Sequence, residues 1–260
     1  MQSTIGVLPK RISPVRAPCS ALADTAGTVV KETASAEVLR IWRSAEAVCF
    51  DVDSTVCVDE GINELAAFCG AGEAVAEWTR KAMGGGVPFE EALAARLSII
   101  KPSMKDVATY LAAHPPRLSP GIADLVGTLQ QRGVAVYLVS GGFRQMIEPV
   151  AELLNISTDH IYANRLLFTE DGEHAGFDPA EYTARSGGKA KAVEEIKKRN
   201  GFSTVVAIGD GATDLEARRP GGADAFIGYG GIVVRPTVAG AADWFVRDFQ
   251  SLVRSLVDQI

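Results

Sequence analysis

Hydrophobic residues along this chain follow two alternating patterns. Short, almost unbroken apolar runs at 48–50, 134–139 and 204–208 stop abruptly at polar or glycine-rich tips, as strands buried on both faces do. Between and after them, apolar positions recur every three or four residues and predict helices over 121–132, 143–154 and 189–199. Shorter pieces complete the alternation: strands at 161–163 and 225–227, a helical piece at 215–219, and a last strand-and-helix unit over 243–256. Asp171-Gly172, in the middle of 166–177, marks a β-hairpin. Strands separated by helices imply an α/β fold with a doubly wound parallel sheet, because parallel neighbours need a crossover connection.

Two stretches break this rhythm. Residues 61–118 contain no convincing strand pattern. Helical spacing runs over 61–70 (Ile62, Leu65, Ala66, Cys69), 73–83, 89–100 (Phe89, Leu93, Leu97, Ile100) and 103–113. The run Met83-Gly84-Gly85-Gly86-Val87-Pro88 interrupts it, and His114-Pro115-Pro116 ends it. We expect a small helical cap domain at 61–118, inserted into an α/β core made of 37–60 and 119–260. Residues 1–36 form a leader. From 1 to 23 the only charges are Lys10, Arg11 and Arg16, amid scattered Ser, Thr and Pro, and the first acid is Asp24. That composition suits an organelle transit peptide or a plain disordered tail, and lacks the apolar centre of a secretory signal. Folded structure should begin with a short helix at 37–43 that turns Val38, Ile41 and Trp42 inward.

Composition narrows the function. With 26 basic against 32 acidic residues the net charge is −6, so nothing marks a nucleic-acid or anionic-membrane partner. An anionic substrate therefore needs a local positive cluster. Cys19, Cys49, Cys57 and Cys69 form no CxxC pair, and buried thiols in a reducing compartment are the expectation. No apolar stretch is long enough to cross a bilayer.

Chemistry concentrates at three strand tips: Asp51-Val52-Asp53, Ser140-Gly141-Gly142 and Gly209-Asp210-Gly211-Ala212-Thr213-Asp214. In a parallel sheet these tips share one edge, where such folds place ligands. On an extended strand Asp51 and Asp53 point the same way, a pair that costs energy unless a cation neutralises it; a solvated turn is the ordinary alternative. Asp51, Asp53, Asp210 and Asp214 offer hard oxygen ligands, while His114, His160 and His174 lie away from the tips, so the set favours Mg²⁺ over zinc. Lys189 follows Ser186-Gly187-Gly188 at a helix start, where the macrodipole disfavours a cation. It is either an exposed lysine or a phosphate partner.

The four segments Asp51-Val52-Asp53-Ser54-Thr55, Ser140-Gly141-Gly142, Lys189 and Gly209-Asp210-Gly211-Ala212-Thr213-Asp214 resemble the motifs of the haloacid dehalogenase superfamily of phosphatases. The likeness extends to Asp59-Glu60-Gly61, Arg80-Lys81-Ala82-Met83-Gly84-Gly85, Val87-Pro88-Phe89, Arg96-Leu97, Gly142-Phe143-Arg144, Ala163-Asn164-Arg165-Leu166 and Ser186-Gly187-Gly188-Lys189. These are similar to the branch of the superfamily that hydrolyses O-phospho-L-serine in serine biosynthesis. Residues 36–47 and the basic leader are most similar to its plastid forms in plants and algae. The resemblance implies that Asp51 is the nucleophile forming an aspartyl-phosphate and Asp53 the acid and base. It implies Mg²⁺ held by Asp51, Asp210 and the backbone carbonyl of Asp53, with Asp214, Gly209 and Gly211 in support. Ser140, Gly141, Gly142 and Lys189 would hold phosphate oxygens. Glu60 would take the substrate ammonium and Arg96 its carboxylate, with Met83, Gly84 and Thr213 alongside. Arg96 borders an apolar stripe, so a snorkelling arginine is its ordinary reading. Location would be the plastid stroma, or the cytoplasm if the leader is not a targeting signal, and a homodimer is compatible. The rivals are another phosphatase or a phosphomutase of the superfamily, a phospho-acceptor signalling domain, and an inactive binding protein. Asp53 argues against the signalling domain, and Glu60 with Arg96 against a sugar phosphate.

Overall fold

The computed structural model describes residues 30–83 and 87–257. Its centre is a six-stranded parallel sheet: β1 (Ala47–Phe50), β2 (Ala135–Phe143), β3 (Ile161–Asn164), β6 (Val205–Gly209), β7 (Ala225–Tyr229) and β8 (Trp244–Val246). Spatial order is β3-β2-β1-β6-β7-β8. The three strands with loaded tips, β2, β1 and β6, are therefore adjacent. β4 (Leu166–Phe168) and β5 (His174–Phe177) pair as the separate antiparallel hairpin that Asp171-Gly172 announces.

Side chains of these strands alternate between two apolar layers, as the period of two requires. Val48 and Phe50 of β1, with Val136, Leu138, Val206 and Ile208, enter one cluster. It is covered by α1 (Ala36–Arg43), α6 (Ile122–Gln131), α7 (Arg144–Leu153) and α11 (Phe249–Val257). Ala47 and Cys49, with Tyr137, Val139, Val205 and Ala207, enter the other, under α8 (Gly188–Asn200) and α10 (Pro236–Ala241). In α1, Ser35 caps the amide of Val38 at 3.2 Å, and Trp42 is buried with its indole N–H on Ser255 Oγ at 2.9 Å. Ile41 is only partly buried. Cys49 and Cys57 are buried free thiols.

Between β1 and α6 the described residues include four α-helices, α2 (Gly61–Phe68), α3 (Gly72–Met83), α4 (Phe89–Ile100) and α5 (Met104–Ala113). They share a third apolar cluster around Leu65, Val75, Leu93, Leu97 and Tyr110, which meets the rest of the molecule at Phe143 and Leu166. The two connecting segments run side by side. Cys57 pairs with Leu118 across an antiparallel bridge, Val58 N donates to Arg117 O at 3.0 Å, and Ser119 N donates to Val56 O at 2.8 Å.

Three boundaries differ from the sequence reading. β2 continues through Ser140-Gly141-Gly142 to Phe143, so α7 starts at Arg144; the pairing with β3 shifts register between Val139 and Phe143, which the apolar count could not show. The helical piece expected at 215–219 is instead the four-residue α9 (Ala212–Leu215), opened directly by the tip glycine Gly211. α10 was not foreseen. Six residues give too little periodicity, although Pro236 in its first turn is a helix-start signal.

Candidate active site

The chain leaves β1 through one wide turn in which Cys57 N reaches back to Val52 O at 2.8 Å and Val56 N to Asp51 O at 3.4 Å. Ser54, buried in its middle, has φ of 55°, a left-handed conformation uncommon for a non-glycine residue and concentrated at functional sites. This turn carries four polar side chains, Asp51, Asp53, Ser54 and Thr55. Asp51 is buried at the strand end. Thr55 Oγ1 donates to Asp210 Oδ1 at 3.2 Å, tying the tip of β1 to that of β6. Ser54 Oγ donates to Glu60 Oε1 at 2.8 Å, and the first amide of α2, Gly61 N, donates to Asp53 Oδ1 at 2.7 Å.

Two cations offset part of the acids' charge. Lys189 Nζ lies 2.7 Å from Asp51 Oδ1 and 2.7 Å from Asp214 Oδ1, so its place in the first turn of α8 is set by two carboxylates. Arg235 Nε donates to Asp210 Oδ2 at 2.8 Å, and its guanidinium stands 3.8 Å from Glu60 Oε1. Sequence reading missed Arg235. The available signal was its position just past β7, whose carboxyl end shares the edge of β6, directly before the helix-starting Pro236.

Glycines make the packing possible. A Cβ on Gly209 would fall 2.4 Å from the Asp214 side chain, which also accepts from Gly211 N at 3.0 Å. A Cβ on Gly142 would lie 3.1 Å from both Asp53 Oδ2 and Ser140 Oγ. Ser140 is fully buried with its hydroxyl accepting from Gly142 N at 2.9 Å. Behind it, Asn164 donates to Gly141 O at 2.8 Å and accepts from Thr183 Oγ1 at 2.9 Å, bracing the tip of β2 against the segment that leads into α8.

A cavity of about 180 Å³ opens over these groups. Of the residues singled out from sequence, Asp51, Asp53, Glu60, Arg96, Gly141, Gly142, Lys189, Asp210, Gly211, Thr213 and Asp214 line it together. Phe89, Ile62 and Arg235 complete the wall. Ser140 and Gly209 stand at the strand ends behind it. Gly84 and the side chain of Met83 lie outside the described residues.

Burial raises the proton affinity of the acids. Asp51 is pushed well above the carboxylate range, first by desolvation and next by Asp214, with Lys189 opposing. Asp214 is raised by the same desolvation. Asp53 is pushed up to about 6, chiefly by burial, against the hydrogen bond from Gly61. For Lys189 burial works toward neutrality, but Asp214 and Asp51 outweigh it and keep the ammonium charged. Arg96 is lowered by desolvation.

Carboxylate oxygens of Asp51, Asp210 and Asp214 lie within 4.8 Å of one another. This cluster contains Asp214 and not the side chain of Asp53. Asp51 Oδ1 lies beside Lys189 but has no hydrogen bond of good angle, so this buried oxygen is left without a hydrogen-bond partner. An all-oxygen, strongly anionic and buried donor set fits a hard divalent cation.

A family model described as haloacid dehalogenase-like hydrolase matches residues 45–222. The chain belongs to that class of hydrolases, whose phosphatases generally need a divalent metal. It is 64% identical over 222 residues to the chloroplastic phosphoserine phosphatase of Arabidopsis thaliana, covering 85% of this chain and 75% of that one. It is 53% identical over 220 residues to the phosphoserine phosphatase of Bos taurus, covering 85% and 97%. A solved phospho-aspartyl intermediate analogue of phosphoserine phosphatase superposes with a TM-score of 0.69 at 28% identity, covering 81% of this chain and 98% of that one. Within the class, the chain is a member of the phosphoserine phosphatase family.

The raised carboxyls set a pH dependence. Asp51, Asp53 and Asp214 hold protons more firmly folded than unfolded, so without metal their contribution to stability grows as pH falls from 8 through about 6. Lys189 stays charged throughout and contributes no slope. Melting of metal-free Asp53→Asn should show a shallower gain between pH 8 and 5 than the parent; an equal gain contradicts the burial cost assigned to Asp53.

Proposed function

We propose that this chain hydrolyses O-phospho-L-serine to L-serine and phosphate through an aspartyl-phosphate on Asp51. The observation that carries the reading is the buried Asp51 carboxylate facing Lys189, with Asp53 two residues on and the charged side chains Glu60 and Arg96 on the same cavity wall. Asp51 attacks phosphorus, and the leaving serine oxygen takes its proton from Asp53. A carboxyl with its pKa near 6 can hold that proton at the start and accept one from water when the intermediate is hydrolysed. Lys189 and the Ser140 hydroxyl bind the non-transferred oxygens, and the backbone at Gly141 and Gly142 lets phosphate approach closely. Mg²⁺ is the cation the oxygen donors suit; Asp51, Asp210 and the Asp53 carbonyl would hold it, with Asp214 beside them, and it would supply neutralising charge. Arg96 recognises the substrate carboxylate and Glu60 its ammonium. The helices at 61–113 act as a specificity cap that shuts out bulk water.

We further assign the leader to plastid delivery. Support comes from its basic, acid-poor composition and from the chloroplastic relative. Its residues before 30 lie outside the described ones. No helix among the described residues is long and apolar enough to cross a membrane.

Phosphate release from O-phospho-L-serine should require divalent metal and disappear with chelator. Asp51→Asn, with deamidation controlled, should lose about three orders of magnitude or more, as for other removed nucleophiles. Turnover surviving either treatment sinks the mechanism. Arg96→Ala should lose about 10- to 100-fold in kcat/KM on phosphoserine, the worth of a hydrogen bond to a charged group, and about 3-fold or less on p-nitrophenyl phosphate. Equal losses on both refute the carboxylate role. Residues 1–35 fused to a fluorescent protein should direct it to plastids in plant cells; a cytosolic signal contradicts the targeting assignment.

A further inference from the structure

Helix α4 begins without a cap of its own. Pro88 precedes it and provides no side-chain acceptor. Its first amide instead finds a partner far along the chain: Phe89 N donates to Ser186 Oγ at 3.1 Å. In return, the Ser186 hydroxyl and the Ser186 amide both donate to Glu90 Oε2 at 3.0 Å. The pattern is that of a capping box, in which a serine hydroxyl accepts from a first-turn amide and a glutamate answers the serine's own N–H. Here its two halves are split between the inserted helices and the turn that delivers Lys189.

That turn is rigid on its other side. Gly188 N donates to Arg185 O at 3.0 Å, Thr183 is tied through Asn164 to Gly141, and any Cβ on Gly188 would collide with the Tyr182 carbonyl. The box therefore fastens α4 to a fixed point. Phe89 and Arg96 are seven residues apart, two turns of helix, and line the same cavity. Phe89 closes against Gly141, where an added Cβ would meet its ring at 3.1 Å.

We propose that Glu90 and Ser186 are positioning residues whose split capping box seats α4, so that Phe89 closes the cavity and Arg96 is held where a substrate carboxylate arrives. The substrate part of this inference rests on the phosphoserine reading. Neither residue touches the cavity, so the effect passes through the seating of α4.

The test is a double-mutant cycle on the full-length, metal-loaded enzyme, read by kinetics and by hydrogen–deuterium exchange. Glu90→Ala and Ser186→Ala should each raise KM for O-phospho-L-serine about three- to tenfold with kcat changed less than twofold. The double variant should be no worse than the poorer single, because one device is being removed twice. Glu90→Gln, which keeps an acceptor oxygen, should return to within twofold of the parent. On p-nitrophenyl phosphate, which has no carboxylate, all four should match the parent within twofold. Exchange should accelerate in both 87–93 and 185–189 in Glu90→Ala. Parental KM in Glu90→Ala, multiplying single effects, equal losses on both esters, or faster exchange confined to one segment each overturns the proposal. If the parent fails to turn over phosphoserine while exchange rises in both segments, the substrate reading falls and the split box stands.

Discussion

Three buried carboxylates, Asp51 and Asp210 just past the ends of two adjacent strands and Asp214 in the short helix that follows the second, have oxygens within 4.8 Å of one another. Alone, that arrangement would be strongly unfavourable, since each acid loses hydration and repels the others. Lys189 and Arg235 make it tolerable, and both positions follow from it. Lys189 sits against the dipole of α8 because Asp51 and Asp214 hold it there, and Arg235 reaches back from beyond β7 to Asp210. Gly209 leaves the room Asp214 needs, and Gly142 leaves room for Asp53 and Ser140 beside the cluster. A divalent cation, which phosphatases of this class generally need, would complete the balance. The negative charge left over in the metal-free fold is what a bound divalent cation would offset, and under the proposed function only with that offset can a phosphate dianion enter.

Much of this could be read from the chain. The apolar runs ending in Asp51, Ser140 and Gly209 identified parallel strands whose tips share one edge, and motif likeness assembled eleven residues that do line one cavity; that the three strands are neighbours is seen only in the fold. What escaped has physical reasons. Arg235 stands alone between valines and a proline, and no period or spacing marks a residue whose partners are 25 positions or more away. The Asn164–Thr183 brace consists of ordinary polar side chains whose importance comes only from burial. Phe143 ends β2 and does not begin α7, because register with β3 is a property of the sheet and not of local periodicity. Ser186 was visible as part of a glycine-rich turn, but its bond to a helix 96 residues earlier was not.

The molecule divides its work between two kinds of order. The sheet edge holds acids and bases in a geometry fixed by β1, β2 and β6, where small displacements would unbalance the charges. The inserted helices have their own apolar cluster and meet the rest through paired connecting segments, Phe143, and the contacts at Phe89 and Glu90. Under the proposed function, chemistry belongs to the first and choice of substrate to the second. Such a division lets selectivity change without disturbing the charge balance at the strand tips.

The central claim is that Asp51 becomes covalently phosphorylated. Rapid acid quench during turnover of O-phospho-L-serine, followed by borohydride reduction and peptide mass analysis, reads it directly, since an acyl phosphate is reduced to the alcohol while a free carboxylate is not. The account predicts homoserine at position 51, formed only when substrate is present. Reduction at Asp53 or another acid, or none at any acid under conditions where phosphate is released, would contradict it.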